Sequence, residues 1–141
     1  MPSLIDAALG QFRHRSLLTH WLPLLVWMGL IYWFSDQPQP FTMAQSWQQE
    51  AVGVIGHVIG YATLALLWCR ALARQHTRRR YTLAVAFFLT MLYALSDEYH
   101  QTFVPGRSGN LPDLLIDAAG AGLGLRLAHS WVRRFAPPKR S

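Results

Sequence analysis

Charge is scarce in this chain. Asp, Glu, Lys and Arg make up 14% of its 141 residues, against about 25% in ordinary globular domains. With 52% of the chain hydrophobic, that shortage excludes a conventional water-facing surface. There is one cysteine, Cys69, which excludes an intramolecular disulfide. No Walker or dinucleotide fingerprint is present, and no serine–histidine–acid arrangement stands out. The net charge of +6 has no helix-turn-helix, zinc-finger or RNA-binding pattern beside it, so no nucleic-acid partner is expected. Tyr32-Trp33-Phe34, after the first apolar run, does not resemble a small-residue cleavage site, so no cleavable signal is expected. No internal repeat is visible.

What the chain does have is long apolar runs. The first, at about 17–34, reads LLTHWLPLLVWMGLIYWF. It holds no acid, lysine or arginine and would extend about 27 Å as a helix, enough to cross most of a hydrocarbon core. Pro23 lies in its first third, which a bilayer helix tolerates when a neighbour satisfies the freed carbonyl. Pro38 and Pro40 then forbid a continuous helix. A second span is expected at about 51–72, where Gly56 and Gly60 form a GxxxG face. A third is expected at about 81–101, with the stretch SDEYHQTF continuing the helix out of the hydrocarbon. Pro105-Gly106 and Ser108-Gly109-Asn110 carry turn chemistry. The fourth, at about 111–132, contains Asp113, Asp117 and Arg126. It is tolerable if the aspartates face the bundle interior and Arg126 snorkels. Gly120 and Gly124 form a second GxxxG.

The basic residues orient this arrangement. Arg13, Arg15, Arg70, Arg74, Arg78, Arg79, Arg80, Arg126, Arg133, Arg134, Lys139 and Arg140 fall on one side, twelve of the thirteen. Arg107 alone falls on the other. The positive-inside rule puts both termini and the 70–80 connection in the cytoplasm, and Cys69 near it as a packing residue. The expectation is an all-α, polytopic membrane protein: a compact antiparallel bundle of four transmembrane helices forming one domain over 1–141.

This topology gathers the unusual polar residues on the outer face: Asp36, His57, Tyr61, Asp97, Glu98, His100, Gln101, Arg107, Ser108, Asp113 and Asp117. Ionisable residues at membrane depth are functional candidates by default, while the bland alternative is a structural network in which Arg107 bridges the carboxylates. Asp97, Glu98, His100, Asp113 and Asp117 are the candidate acid–base groups. Asp113 and Asp117 share a direction at helical spacing, which suits proton transfer. Asp36, His57, Tyr61, Gln101, Arg107 and Ser108 are the candidate ligand-binding groups, with Arg107, Ser108 and the loop amides able to hold a phosphate. His57 beside Tyr61 is read more readily as an interhelical hydrogen-bonded pair than as a catalytic one. His100 near Asp97 and Glu98 fits no standard zinc spacing, and neither a metal nor a cofactor is expected.

The stretch LYALSDEYHQTFVPGRSGNLPDLLIDAAGAGLG, residues 92–124, resembles the signature of the VanZ-like family. Its matching residues are Asp97, Glu98, Gln101, Arg107, Asp113, Asp117 and Gly120, and upstream FSDQP at 34–38 with His57 and Tyr61 also match. The resemblance covers about 17–130. Asp117 departs from it, because the family often has asparagine there. The resemblance implies a multi-pass protein of the bacterial plasma membrane, in a family whose namesake is associated with low-level teicoplanin resistance. Three functions follow as expectations: binding of a lipid-linked envelope precursor or glycopeptide-like ligand among the membrane lipids, enzymatic action on a phospholipid or polyprenyl-phosphate head group, and proton-coupled transport. Oligomeric state is left open.

Overall fold

The computed structural model describes residues 4–38, 47–73 and 79–135. They form four helices, α1 (Leu4–Ser35), α2 (Trp47–Leu72), α3 (Arg79–Gln101) and α4 (Leu111–Phe135), with no strand among the described residues. The connections 39–46 and 74–78, which include Pro40, Arg74 and Arg78, lie outside the described residues, as do Lys139 and Arg140.

α1 begins at Leu4, well before the apolar run expected to start it. No proline interrupts Leu4–Ser16, so nothing there stops the helix from extending beyond its apolar part. Pro23 sits inside α1 and, lacking an N–H, leaves the Thr19 carbonyl without its helical donor. Arg70 of α2 donates to that carbonyl at 3.2 Å. An arginine from the neighbouring helix thus repairs the proline defect.

α2 lies at the centre of the bundle, with its most extensive contact against α4. Gly120 and Gly124 account for that intimacy. A Cβ on Gly120 would come 2.7 Å from the Val58 carbonyl oxygen, and one on Gly124 would overlap the Ala62 carbonyl. Only glycine lets the two backbones approach this closely. Gly56 and Gly60, by contrast, have nothing within 4 Å of where a Cβ would stand. Among the described residues, then, no helix packs closely on the first GxxxG face as α2 does on the second.

The side chains are distributed inside out. Ala65, Ala86, Ala94, Thr90 and Asp117 are fully buried, while Phe88 is 65%, Leu115 64% and Val52 70% exposed. Small and polar groups, with a few large ones such as Leu24, Leu64 and Tyr61, fill the interior, and most large apolar side chains face outward. Two segments are long and apolar enough to cross a membrane, Leu18–Ser35 and Glu50–Leu72, with mean hydropathies of 1.2 and 1.8. The third and fourth expected spans form helices but do not reach that apolarity. α3 opens on Arg79 and Arg80 and closes on Asp97, Glu98 and His100, and α4 carries Asp113, Asp117 and Arg126.

Cross-helix contacts establish how the helices run. Ser35 at the end of α1 meets Asp97 near the end of α3, and His57 in the first half of α2 meets Asp117 in the first half of α4. At the opposite end Trp21 packs edge-on against Trp68. Chain-adjacent helices are therefore antiparallel, and the acids collect at one end.

The α3–α4 corner is tightly built. The Arg107 N–H donates to the Val104 carbonyl at 3.1 Å, and Gly106 takes a φ of 79°. Proline then glycine at the two central positions is the type II turn. Gly109 presses against the Glu98 carbonyl, leaving no room for a side chain. Asn110 caps α4: its Oδ1 accepts the Asp113 N–H, and its Nδ2 donates to Asp113 Oδ2, both at 2.9 Å. This is a reciprocal cap of the kind that satisfies helix N-termini.

Candidate functional site

Asp97 is the hub of the polar end. It is 4% exposed, and its Oδ2 accepts hydrogen bonds from Ser35 Oγ at 2.7 Å, Tyr61 OH at 3.0 Å and Gln101 Nε2 at 3.3 Å. Gln101 also donates to Ser35 Oγ. One carboxylate oxygen thereby ties α1, α2 and α3 together. The other, Oδ1, is buried and has no partner.

Glu98, the next residue on α3, points toward α4. Its Oε2 accepts the Asn110 N–H at 2.9 Å, bracing the capped start of α4. Its Oε1 is buried without a partner. Asp117 is fully buried, with Oδ1 2.8 Å from His57 Nδ1 and Oδ2 unpartnered. The His57 ring stacks near-parallel on Tyr61, at 12° and 6.2 Å between centroids. His57, Glu98 and Asp117 each present one donor atom within 4.8 Å of the others.

A groove of about 520 Å³ runs between α1 and α2 and ends at this network. Trp27, Leu30, Ile31 and Phe34 of α1 form one wall, and Val52 and Ile59 of α2 the other. Gly53, Gly56 and Gly60 line it and leave its floor flat. Trp27 Nε1 donates to the Gly60 carbonyl across it at 2.9 Å. The polar end holds Ser35, His57, Tyr61, Asp97, Gln101 and Arg107. An apolar trough closed at one end by hydrogen-bonding groups has the chemical form of a site for an amphiphile.

The other expected site residues are placed differently. Arg107 does not bridge the carboxylates: its Nε donates to the Gln37 carbonyl at 3.0 Å and its Nη2 to the Phe34 carbonyl at 2.8 Å. The guanidinium fork takes the Phe34 carbonyl in the last turn of α1, which also accepts the Gln37 N–H at 3.3 Å, and the Gln37 carbonyl just beyond the helix. Among the described residues the ion pairs are His57–Asp117 and His100–Asp36. Asp113 does not join Asp117; it is engaged in the Asn110 cap. His100 pairs with the exposed Asp36 at 3.1 Å and stacks on Tyr32, at the edge rather than in the buried network. Ser108 is exposed in the turn.

Sequence reasoning passed over Ser35 and Asn110. Asn110 was legible: an Asn-x-x-Asp pattern opening an apolar run is an N-terminal cap signature. Ser35 gave no such signal, because its role depends on α3 lying beside the end of α1.

Compared with known protein families, residues 19–133 match the family described as VanZ/LLP1. No curated protein and no solved structure matches the chain.

Proposed function

The chain belongs to the VanZ/LLP1 family, and we propose that it is a four-span envelope membrane protein that binds an amphiphilic, lipid-linked or lipopeptide-like ligand. The inside-out distribution of side chains supports four spans. Phe88, Leu92 and Leu95 on α3, and Leu115, Leu123 and Leu127 on α4, are exposed. Soluble monomers rarely present apolar surface on this scale. The arginine distribution supports cytoplasmic termini, and in that orientation the polar end faces outward from the plasma membrane.

One observation carries the binding reading: the α1–α2 groove is continuous from apolar walls to the buried network around Asp97. An acyl or polyprenyl chain lies along Leu30, Ile31, Val52 and Ile59. Its polar head reaches His57, Gln101 and the free edge of Arg107. Occupation of such a groove by a glycopeptide's lipid tail or by a lipid-linked precursor would alter teicoplanin susceptibility. The test is photo-crosslinking with a diazirine-bearing polyprenyl phosphate in membranes. Label is expected on α1 and α2 and should fall at least fivefold in Gly56→Leu, whose Cβ meets nothing within 4 Å and whose side chain fills the groove. Equal labelling of the variant would remove the groove from the reading.

A second reading is supported by the spare oxygen of Asp97, the one of the three buried acids that lines the groove. A buried carboxylate with an unused acceptor can serve as a general base, acting on a phospholipid or polyprenyl-phosphate head group in the same groove. Purified protein incubated with such lipids would then yield a mass change lost in Asp97→Asn. Intact substrates throughout the panel would leave binding alone.

A further inference from the structure

Three side chains from three different helices converge behind the groove: His57 from α2, Glu98 from α3 and Asp117 from α4. Their donor atoms lie within 4.8 Å of one another. Two are carboxylates in the interior, Glu98 6% and Asp117 0% exposed. Each has one oxygen engaged and the other, Glu98 Oε1 and Asp117 Oδ2, buried with no hydrogen-bond partner among the described residues. Buried acceptors left empty are costly, and two adjacent carboxyl groups in a low-dielectric interior need a compensating positive charge. Among the described residues no lysine or arginine pairs with either carboxylate, and His57, when protonated, offsets only one of the two. Arg107 is turned to the carbonyls of α1.

We propose that His57, Glu98 and Asp117 form a binding site for a divalent transition-metal cation, zinc or manganese. The donor set is one imidazole and two carboxylates with no thiolate. That set disfavours soft ions such as Cu(I), and the imidazole distinguishes the site from the all-oxygen sites of calcium and magnesium. Three protein ligands leave coordination positions free, as in catalytic rather than structural zinc sites.

The geometry is close to what a cation requires. At metal–ligand bonds of about 2.1 Å, ligand atoms stand roughly 3–3.5 Å apart, so the three donors need to close in by at most about 1.8 Å. The His57–Asp117 pair, at 2.8 Å, is already near that spacing, and metal binding replaces the proton between them. The surroundings suit a second shell as well. Glu98 Oε2 is held by the Asn110 N–H, and the His57 ring is positioned by its stack on Tyr61. Outer contacts of this kind orient metal ligands. The route in is the groove, since His57 lines it and its side chain is 20% exposed. The open coordination positions face the same space, where a phosphate or carboxylate oxygen of a ligand would bind the cation.

The experiment uses the full chain in detergent, stripped by chelator and titrated with Mn²⁺ under electron paramagnetic resonance. One equivalent is expected to bind, with ¹⁴N coupling from a coordinated imidazole that is lost in His57→Gln. Zn²⁺ is expected to displace the bound Mn²⁺. Glu98→Gln and Asp117→Asn should weaken binding by more than the roughly tenfold cost of losing an outer-shell partner. His100→Gln, which breaks only the peripheral Asp36 pair, should bind as the parent does. Absence of Mn²⁺ and Zn²⁺ binding would show that a shared proton alone neutralises the cluster and would overturn the site. So would binding without ¹⁴N coupling, or coupling unchanged in His57→Gln. If the carboxylate variants fail to fold, the ¹⁴N coupling and Zn²⁺ competition of the parent protein still decide. None of these readouts depends on the groove's ligand, so the site and the binding reading fail separately.

Discussion

Gly120 on α4 lies against the Val58 backbone on α2, one residue from His57 and three from Asp117. The His57 and Asp117 side chains meet at 2.8 Å because nothing separates the helices at that level. Gly124 repeats the contact one turn along, against Ala62. The buried pair therefore depends on the absence of side chains beside it, and the small-residue face of α4 is part of how the polar cluster is assembled.

Gly124→Leu tests this directly. The new side chain would have to displace the α2 backbone, and overpacking of this kind costs about 1–3 kcal/mol or more. Gly122, two residues earlier, has nothing within 4 Å of its Cβ position, so Gly122→Leu should be neutral. Thermal unfolding of both variants in one detergent gives the comparison. A similar loss in both would mean that α4 does not pack on α2 through this face.

Asp97→Ala should be among the most disruptive single changes at the polar end. It leaves Ser35, Tyr61 and Gln101 without their shared acceptor, three donors from three helices. Each unsatisfied buried group costs about 1–3 kcal/mol, so a loss of about 3 kcal/mol or more is expected. Tyr61→Phe removes one donor and keeps the carboxylate, for about 1 kcal/mol. Unfolding midpoints that rank the two variants in the opposite order would refute the hub role of Asp97.

Much of the fold was legible in the residues, and the reasons differ by element. The apolar runs at 17–34 and 51–72 marked α1 and α2 because an unbroken apolar stretch needs no partner to be read. α3 and α4 were readable as helices, from the flanking turn residues and the glycine spacing, but their charges lower their apolarity. The start of α1 at Leu4 was missed because Leu4–Ser16 is helical without being an apolar run. Around the site, helical spacing put His57 with Tyr61, and topology put the acids at one end. Spacing could not reveal that adjacent Asp97 and Glu98 serve different helices. Nor could it show Arg107 choosing backbone carbonyls over carboxylates, because carbonyls at a helix end are invisible in a list of charged residues.

That choice makes Arg107 a clamp between the 104–110 turn and the end of α1. Its two donors reach carbonyls three residues apart, which a lysine ammonium cannot span with the same fork. Arg107→Lys should therefore cost about 1 kcal/mol and raise amide exchange in residues 34–37, while exchange in α2 and α4 stays unchanged. Hydrogen-exchange mass spectrometry reads this by segment. Unaltered exchange at the end of α1 would show that the carbonyl contacts are dispensable.

The orientation proposed from the arginines is tested by paired cysteines in a Cys69→Ala background. Ser108 is exposed in the α3–α4 turn at the polar end, and Ala73 is exposed just beyond α2 at the opposite end. With the basic side inward, Ser108→Cys should react in intact cells with a membrane-impermeant maleimide. Ala73→Cys should react only after permeabilisation. The reverse pattern would invert the molecule and turn the Asp97 network toward the cytoplasm, where a ligand outside the cell could not reach it. Labelling of both positions in intact cells would mean that the two ends of the bundle do not lie on opposite sides of a membrane. The four-span reading would then fail, while the α2–α4 packing and the His57–Asp117 contact would be untouched, since both arise from contacts inside the bundle rather than from its surroundings.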